Sequence, residues 1–150
     1  MQVILTLASF KGGVGKSTAC VHLAAYFSDT APTVLVDGDP NGSANLWSEQ
    51  GKLPFPVIGR NQAPVYARKF ENLIIDTPAR PTAEELKDLA LGCELLIIPA
   101  TPDTLSLDAL MQTVDALRQV GTDRYRVLLN IVPPEPIKEG ALARARQPGS

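Results

Sequence analysis

No apolar run in the sequence approaches the roughly 20 residues that a membrane-spanning helix needs. The first residues also lack the charged, apolar, small-residue order of a signal peptide. Met1-Gln2 leads straight into Val3-Ile4-Leu5, so the chain is expected to open on a strand, with the cytoplasm as its default compartment. Cysteine is scarce. Cys20 and Cys93 fit no metal-ligand spacing, and a lone pair builds no disulfide framework. Both stand in apolar patterns, which predicts two small buried thiols. An excess of one charge is missing too: 14 Lys and Arg against 16 Asp and Glu leave a net charge of −2. That excludes a global drive toward nucleic acid or anionic membrane, so DNA binding would require a local basic patch or one assembled in an oligomer.

What is present is an alternation of β-branched runs and helical stretches. The 150 residues fit one domain with one core. Strands are predicted over Val3 to Ala8, Val34 to Val36, Leu73 to Ile75, Leu95 to Ile98 and Arg126 to Val132. These runs are continuously apolar rather than alternating, the mark of strands covered on both faces. The predicted fold is therefore α/β, with a mostly parallel sheet and helices on both sides. A helix is predicted from Ser17 to Ser28. Another begins at Thr82-Ala83-Glu84-Glu85, which has capping-box spacing, and stops at Gly92. Leu107, Leu110, Met111, Val114 and Leu117 recur at helical spacing before Gly121, and the stripe reads as core packing. Residues 51–71 carry Pro54, Pro56 and Pro64, leaving room for a short strand near Val57 and one or two helical turns. After Pro133-Pro134-Glu135-Pro136 a helix is expected over Lys138 to Gln147, and Pro148-Gly149-Ser150 reads as a tail.

The chemistry is concentrated in the run Lys11-Gly12-Gly13-Val14-Gly15-Lys16-Ser17-Thr18. A strand, a glycine-rich turn and a helix together present several backbone N–H groups to one anion. Lys16 is expected to reach the β- and γ-phosphates of ATP or ADP, and the Ser17 hydroxyl to ligate Mg2+. A flexible glycine loop is the competing reading, but a chance match to its six fixed positions is on the order of one in ten thousand. Leu73-Ile74-Ile75-Asp76-Thr77-Pro78 is an apolar strand ending in a carboxylate, the Walker B form, so Asp76 is expected to hold magnesium through water. Asp37-Gly38-Asp39-Pro40 follows the second strand, at the edge where open α/β sheets place ligands. A plain Asp-Gly turn is the alternative there.

Phe10 stands where an ordinary P-loop has its first glycine, and Lys11 follows. This combination resembles the deviant Walker A motif of the ParA/MinD superfamily, whose three-layer P-loop NTPase fold the resemblance implies. It covers Met1 to about Val132, and Asp39 to Trp47 and Ile97 to Pro102 resemble the small ParA group. That group includes the ParF-type plasmid partition proteins and the McdA carboxysome-positioning proteins. By this resemblance Lys11 reaches across a nucleotide-sandwich homodimer to the partner's ATP. Asp39 orients the attacking water or a magnesium-bound water, with Asp37 supporting its loop. Asn130 reads the adenine edge, with Pro133 lining the base. The family binds nucleoid DNA without sequence preference and releases it when a ParB-like or McdB-like adaptor stimulates hydrolysis. Its members continue into further C-terminal helices that residues 1–150 are expected to lack; Arg144 and Arg146 read either as the start of a basic face or as two solvated arginines. No amphipathic membrane helix of the MinD type is recognisable.

Two other classes fit these residues less well. A dethiobiotin-synthase-like ligase of the same superfamily has no need of Lys11. An iron–sulfur reductase needs cysteines on loops at a dimer axis, whereas Cys20 falls inside a predicted helix. His22, in the same helix, reads as a packed or surface histidine. The Walker B strand is followed by Thr77 rather than a catalytic glutamate, so hydrolysis rests on water positioning and electrostatics. Unstimulated ATP turnover is therefore expected on the order of 10⁻² s⁻¹ or slower, measured by phosphate release. Unstimulated turnover of ~10 s⁻¹, the median for enzymes, would contradict this.

Overall fold

The computed structural model of the chain describes residues 1–39 and 51–132. Six strands form one sheet: β1 (Val3–Leu7), β2 (Thr33–Asp37), β3 (Val57–Gly59), β4 (Asn72–Asp76), β5 (Leu95–Ala100) and β6 (Tyr125–Leu129). Their spatial order is β3-β2-β4-β1-β5-β6, and every pairing is parallel. Helix α1 (Lys16–Ser28) follows β1. The short α2 (Ala63–Tyr66) lies between 3-10 turns at Arg60–Gln62 and Ala67–Lys69. Helix α3 (Ala83–Leu91) follows β4, and α4 (Thr104–Val120) follows β5.

Side-chain alternation along each strand divides the core between the two faces of the sheet. Leu5, Leu7, Leu35, Ile74 and Ile97 meet α1 through Ala19, Cys20, Val21 and Ala24. These small residues let the helix lie close to the sheet. On the opposite face Ala8, Leu96 and Ile98 pack with Leu86 and Ala90 of α3 and Leu117 of α4. Val34, Val36 and Leu73 pack beneath Ala63 and Ala67 of the α2 region. Covering both faces is what permits a parallel sheet with uninterrupted apolar strands.

The expected local signals act as written at several points. Thr82 Oγ1 accepts from Glu85 N–H at 3.1 Å while Glu85 Oε2 accepts from Thr82 N–H at 2.7 Å. Helix α4 ends at Gly121, φ 80°, as expected, while its start on Asp103, whose side chain accepts from Ser106 N–H, was not among the expected signals. Residues 51–71 hold one short strand and brief helical turns. Cys20 and Cys93 are free and buried.

Two expectations need correction. The last strand ends at Leu129 rather than Val132, and Ile131 takes a positive φ of 53° that no strand accommodates. The Leu and Met stripe of α4 is only partly core. Leu117 is fully buried, but Leu107 is 44% and Met111 56% exposed. The buried side is instead carried by Ser106, Thr113 and Leu117. Thr113 satisfies its hydroxyl on Ala109 O at 2.8 Å, so a polar residue sits there without an orphaned group. The apolar residues keep helical spacing, but the buried flank of the helix is a neighbouring one.

This division predicts unequal truncation costs. Leu86→Ala, at a fully buried site, should cost about 2–5 kcal/mol in urea denaturation. Met111→Ala should change stability by no more than ~0.5 kcal/mol. Equal losses at the two positions would contradict the observed face of α4.

Candidate nucleotide-binding site

The site lies at the carboxyl edge of β1, β4 and β2. In the sheet register Leu7 stands beside Asp76 and Asp76 beside Asp37. The end of β1 thus supplies the glycine loop, and the next two strands on one side of it, β4 and then β2, supply carboxylates. The loop enters α1 through Gly15, which caps the helix in the left-handed region at φ 80°. The first intrahelical bond runs from Ala19 N–H to Gly15 C=O at 2.9 Å. The N–H groups of Lys16, Ser17 and Thr18 therefore precede the helical ladder and face an incoming anion. Gly13 is also left-handed, at φ 74°. Phe10 is not among the positive-φ residues, so that position does not require glycine, and its ring packs against the α3/α4 core.

Lys16 is 7% exposed and Asp76 fully buried. The Lys16 ammonium donates to Asp76 Oδ1 and to the Thr77 carbonyl. Ser17 Oγ donates to the other carboxylate oxygen, Asp76 Oδ2, at 2.6 Å. Thr77 turns its hydroxyl away, to Leu7 O at 2.7 Å. A buried ammonium and carboxylate are tolerable only as a hydrogen-bonded pair, and among the described residues no buried side-chain polar atom lacks a partner. The donor set also fits a magnesium ion. One hydroxyl and one carboxylate, converging on one point beside a phosphate cradle, are the few protein ligands this ion takes, the remainder being water and phosphate oxygen.

Asp37 Oδ1 accepts from Asp39 N–H at 3.0 Å, an Asx turn that shapes the loop carrying Asp39. Gly38 N–H donates to Asp76 O at 2.8 Å. A Cβ on Gly38 would stand 2.6 Å from that same oxygen, so the loop closes onto β4 only with glycine there. A cavity of about 490 Å³ begins at Gly38, Asp76 and Pro78 and runs between α2 and α3. Arg80 lines it with its backbone in the left-handed region, φ 58°, held by its N–H to Ser9 O at 2.9 Å.

Lys11 does not point into its own cradle. Its backbone is braced by Ser9, whose hydroxyl accepts from Lys11 N–H at 3.1 Å and donates to Lys11 O at 2.9 Å. Its ammonium pairs with Asp103 Oδ1 at 2.9 Å. Asp103 escaped the sequence reading, although an Asp before a helical apolar stripe is an N-cap signal. The Thr101 hydroxyl, then Lys11, hold its carboxyl down at about 2.

Asn130 lies one residue beyond β6. Its amide donates to Val14 O at 3.1 Å and Gly15 O at 3.4 Å, bracing the P-loop from behind. It also borders a recess of about 270 Å³ with Thr18, His22 and Leu128, and His22 is exposed. Pro133, the Pro40 to Trp47 segment, Arg144 and Arg146 lie outside the described residues. Burial raises the thiols of Cys20 and Cys93 above the ordinary range, with Asp76 adding to the effect at Cys20. Both stay protonated and act as packing groups. Among the described residues no helix is long and apolar enough to cross a membrane.

Residues 5–143 match the CobQ/CobB/MinD/ParA nucleotide binding domain. The chain belongs to this family. Maintenance of carboxysome distribution protein A of Gloeobacter kilaueensis is 33% identical over 153 aligned residues, which cover 94% of this chain and 68% of the relative. The ATP complex of a substituted Cyanothece McdA shares the fold with TM-score 0.69 at 16% identity, over 96% of this chain and 77% of that one. The pNOB8 ParA bound to nonspecific DNA does so with TM-score 0.56 at 18% identity, over 74% and 57%. Within the family this is a ParA-type ATPase domain.

The positive φ of Gly15 makes it a sensitive position in the cradle. A Cβ there would stand 2.3 Å from Asn130 Nδ2, and the left-handed backbone adds ~1–2 kcal/mol for a non-glycine residue. Gly15→Ala should therefore weaken ATP binding about tenfold or more by calorimetry. Unchanged affinity would show that the Asn130 contact does not shape the loop.

Proposed function

We propose that this domain is one subunit of an ATP-dependent switch that dimerises around nucleotide and positions an intracellular cargo on DNA. One observation carries the reading. Of the two P-loop lysines, Lys16 is buried in the cradle, while the Lys11 side chain, 31% exposed, pairs outside it with Asp103. A cation placed beside its own phosphate site but turned outward suits a phosphate held by a second subunit.

In this reading the N–H groups of the Gly12 to Thr18 turn bind the phosphates, and Lys16 exchanges Asp76 for the β- and γ-phosphate oxygens. Ser17 would ligate magnesium and Asp76 would hold it through water, and the ion would neutralise charge on those oxygens. Asp39, set by Asp37, orients the attacking water or a magnesium-bound water. Lys11 of each subunit supplies charge in trans to the transferring phosphoryl, so hydrolysis waits for dimerisation. Asn130, already against the P-loop, borders the adenine together with Pro133. Without a glutamate after Asp76, hydrolysis is slow, and an adaptor of the ParB or McdB type accelerates it. The likeness to carboxysome-distribution and partition proteins supports a cargo of that kind, and the DNA-bound pNOB8 ParA supports nonspecific duplex as the track. A nucleoid-associated place in the cytoplasm follows.

Light scattering should show a dimer with ATP and a monomer with ADP, and fluorescence anisotropy should show nonspecific duplex bound only in the ATP state. Lys11→Ala should lose dimerisation and reduce adaptor-stimulated hydrolysis about 10³-fold, the lower range for a cation supplied in trans. Its ADP affinity should stay within about threefold, because the side chain lies outside its own cradle. Full hydrolysis by a Lys11→Ala monomer would overturn the reading.

A further inference from the structure

Lys11 has a definite partner in the single subunit, and that partner is built to receive it. Asp103 lies 92 residues away in sequence, at the start of α4. Its carboxylate is fixed before the lysine arrives. Oδ1 accepts from Ser106 N–H at 3.0 Å, and Oδ2 accepts from the Thr101 hydroxyl. Thr101 is itself pinned, its N–H donating to Ser106 Oγ at 2.8 Å. Asp103 N–H also donates to Thr101 O at 2.9 Å. On the other side, the two Ser9 hydrogen bonds fix the Lys11 backbone. Only the lysine stem must be ordered for the pair to form.

We propose that Asp103 is a positioning residue that latches Lys11 in cis, so that the lysine must leave this carboxylate to reach a partner subunit's phosphates. The inference rests on the reading that Lys11 acts in trans. The strength of the latch suits that task. The two side chains are 31% and 47% exposed, and ion pairs at such positions are weak and screened by salt. A triphosphate concentrates several negative charges where Asp103 offers one. It therefore wins the ammonium once a partner brings it within reach. Until then the latch lowers the fraction of Lys11 free to bridge two subunits, a tax on dimerisation that a first contact removes. Because Asp103 also starts α4, release of Lys11 is felt at the N-terminal turn of that helix and at Thr101, one residue beyond β5.

Asp103→Asn tests the latch, since asparagine keeps the N-cap acceptor while removing the charge. Asp103→Ser serves as a second cap-retaining variant. In nucleotide-free protein, the Lys11 ammonium resonance should shift between wild type and Asp103→Asn. With ATP, Asp103→Asn should dimerise at lower protein concentration by about two- to fivefold for each latch released, the range for an exposed ion pair. A Lys11→Ala/Asp103→Asn double variant should stay monomeric with ATP, as Lys11→Ala alone should. Wild-type and Asp103→Asn proteins that dimerise with ATP at the same concentration would overturn the latch and leave the two-subunit switch standing. Weaker dimerisation in both cap-retaining variants would also overturn it, by making Asp103 part of the dimer contact. A wild-type chain that stays monomeric with ATP would overturn the switch and the latch together.

Discussion

A buried ammonium cannot remain charged without a counter-ion, and a buried carboxylate has the same need. Lys16 and Asp76 meet that need for each other at the centre of the site. The consequence reaches well beyond the pair. Asp76 must end β4 beside Leu7 at the end of β1, or the glycine loop would carry its lysine into apolar surroundings. Thr77 must turn its carbonyl to Lys16 and its hydroxyl to Leu7. Ser17 must take the second Asp76 oxygen. Each contact fills a polar valence that burial would otherwise leave costly. The same exchangeable cluster is what a phosphate chain and a hydrated cation require, so the arrangement that satisfies Lys16 and Asp76 also suits nucleotide.

The sheet order makes this possible. Inserting β4 between β1 and β2 brings three chain-distant strand ends together: the one leading to the P-loop, the one ending in Asp76, and the one leading to Asp37 and Asp39. Gly38 closes the last gap by donating to Asp76 O, at a spot where a side chain would collide with that oxygen. Asn130 closes the opposite side by donating to the P-loop carbonyls. The cradle is therefore held from four strands, and the glycines supply local freedom within a rigid frame.

Lys11 stands outside this economy. Its partner lies 92 residues away, against 60 for that of Lys16, and is exposed rather than buried. Burial makes Lys16 a fixed member of the site. Exposure makes Lys11 exchangeable, and a cation that can change partners cheaply is what a two-subunit switch uses. The contrast between the two lysines is a contrast in dielectric surroundings, since their chemistry is identical.

Much of this was legible in the residues. Continuous apolar strands gave the two-sided parallel sheet, and Thr82 with Glu85 marked the start of α3. The Lys11 to Thr18 run gave the cradle, and Asp76 gave its carboxylate. These are local signals, fixed by backbone dihedrals, side-chain period and capping chemistry within a few residues. Three features were not local. The buried flank of α4 depends on where the sheet lies, so Ser106 and Thr113 face inward while Leu107 and Met111 do not. The bracing contact from Asn130 to Val14 and Gly15 spans more than a hundred residues. The pairing of Lys11 with Asp103 likewise exists only because β5 lies beside β1. The sequence by itself determined the anion cradle, because its glycines and helix start are contiguous. Only the tertiary structure decided which carboxylate each lysine answers to, because ion pairs are set by distance and burial, and neither is written in the order of residues.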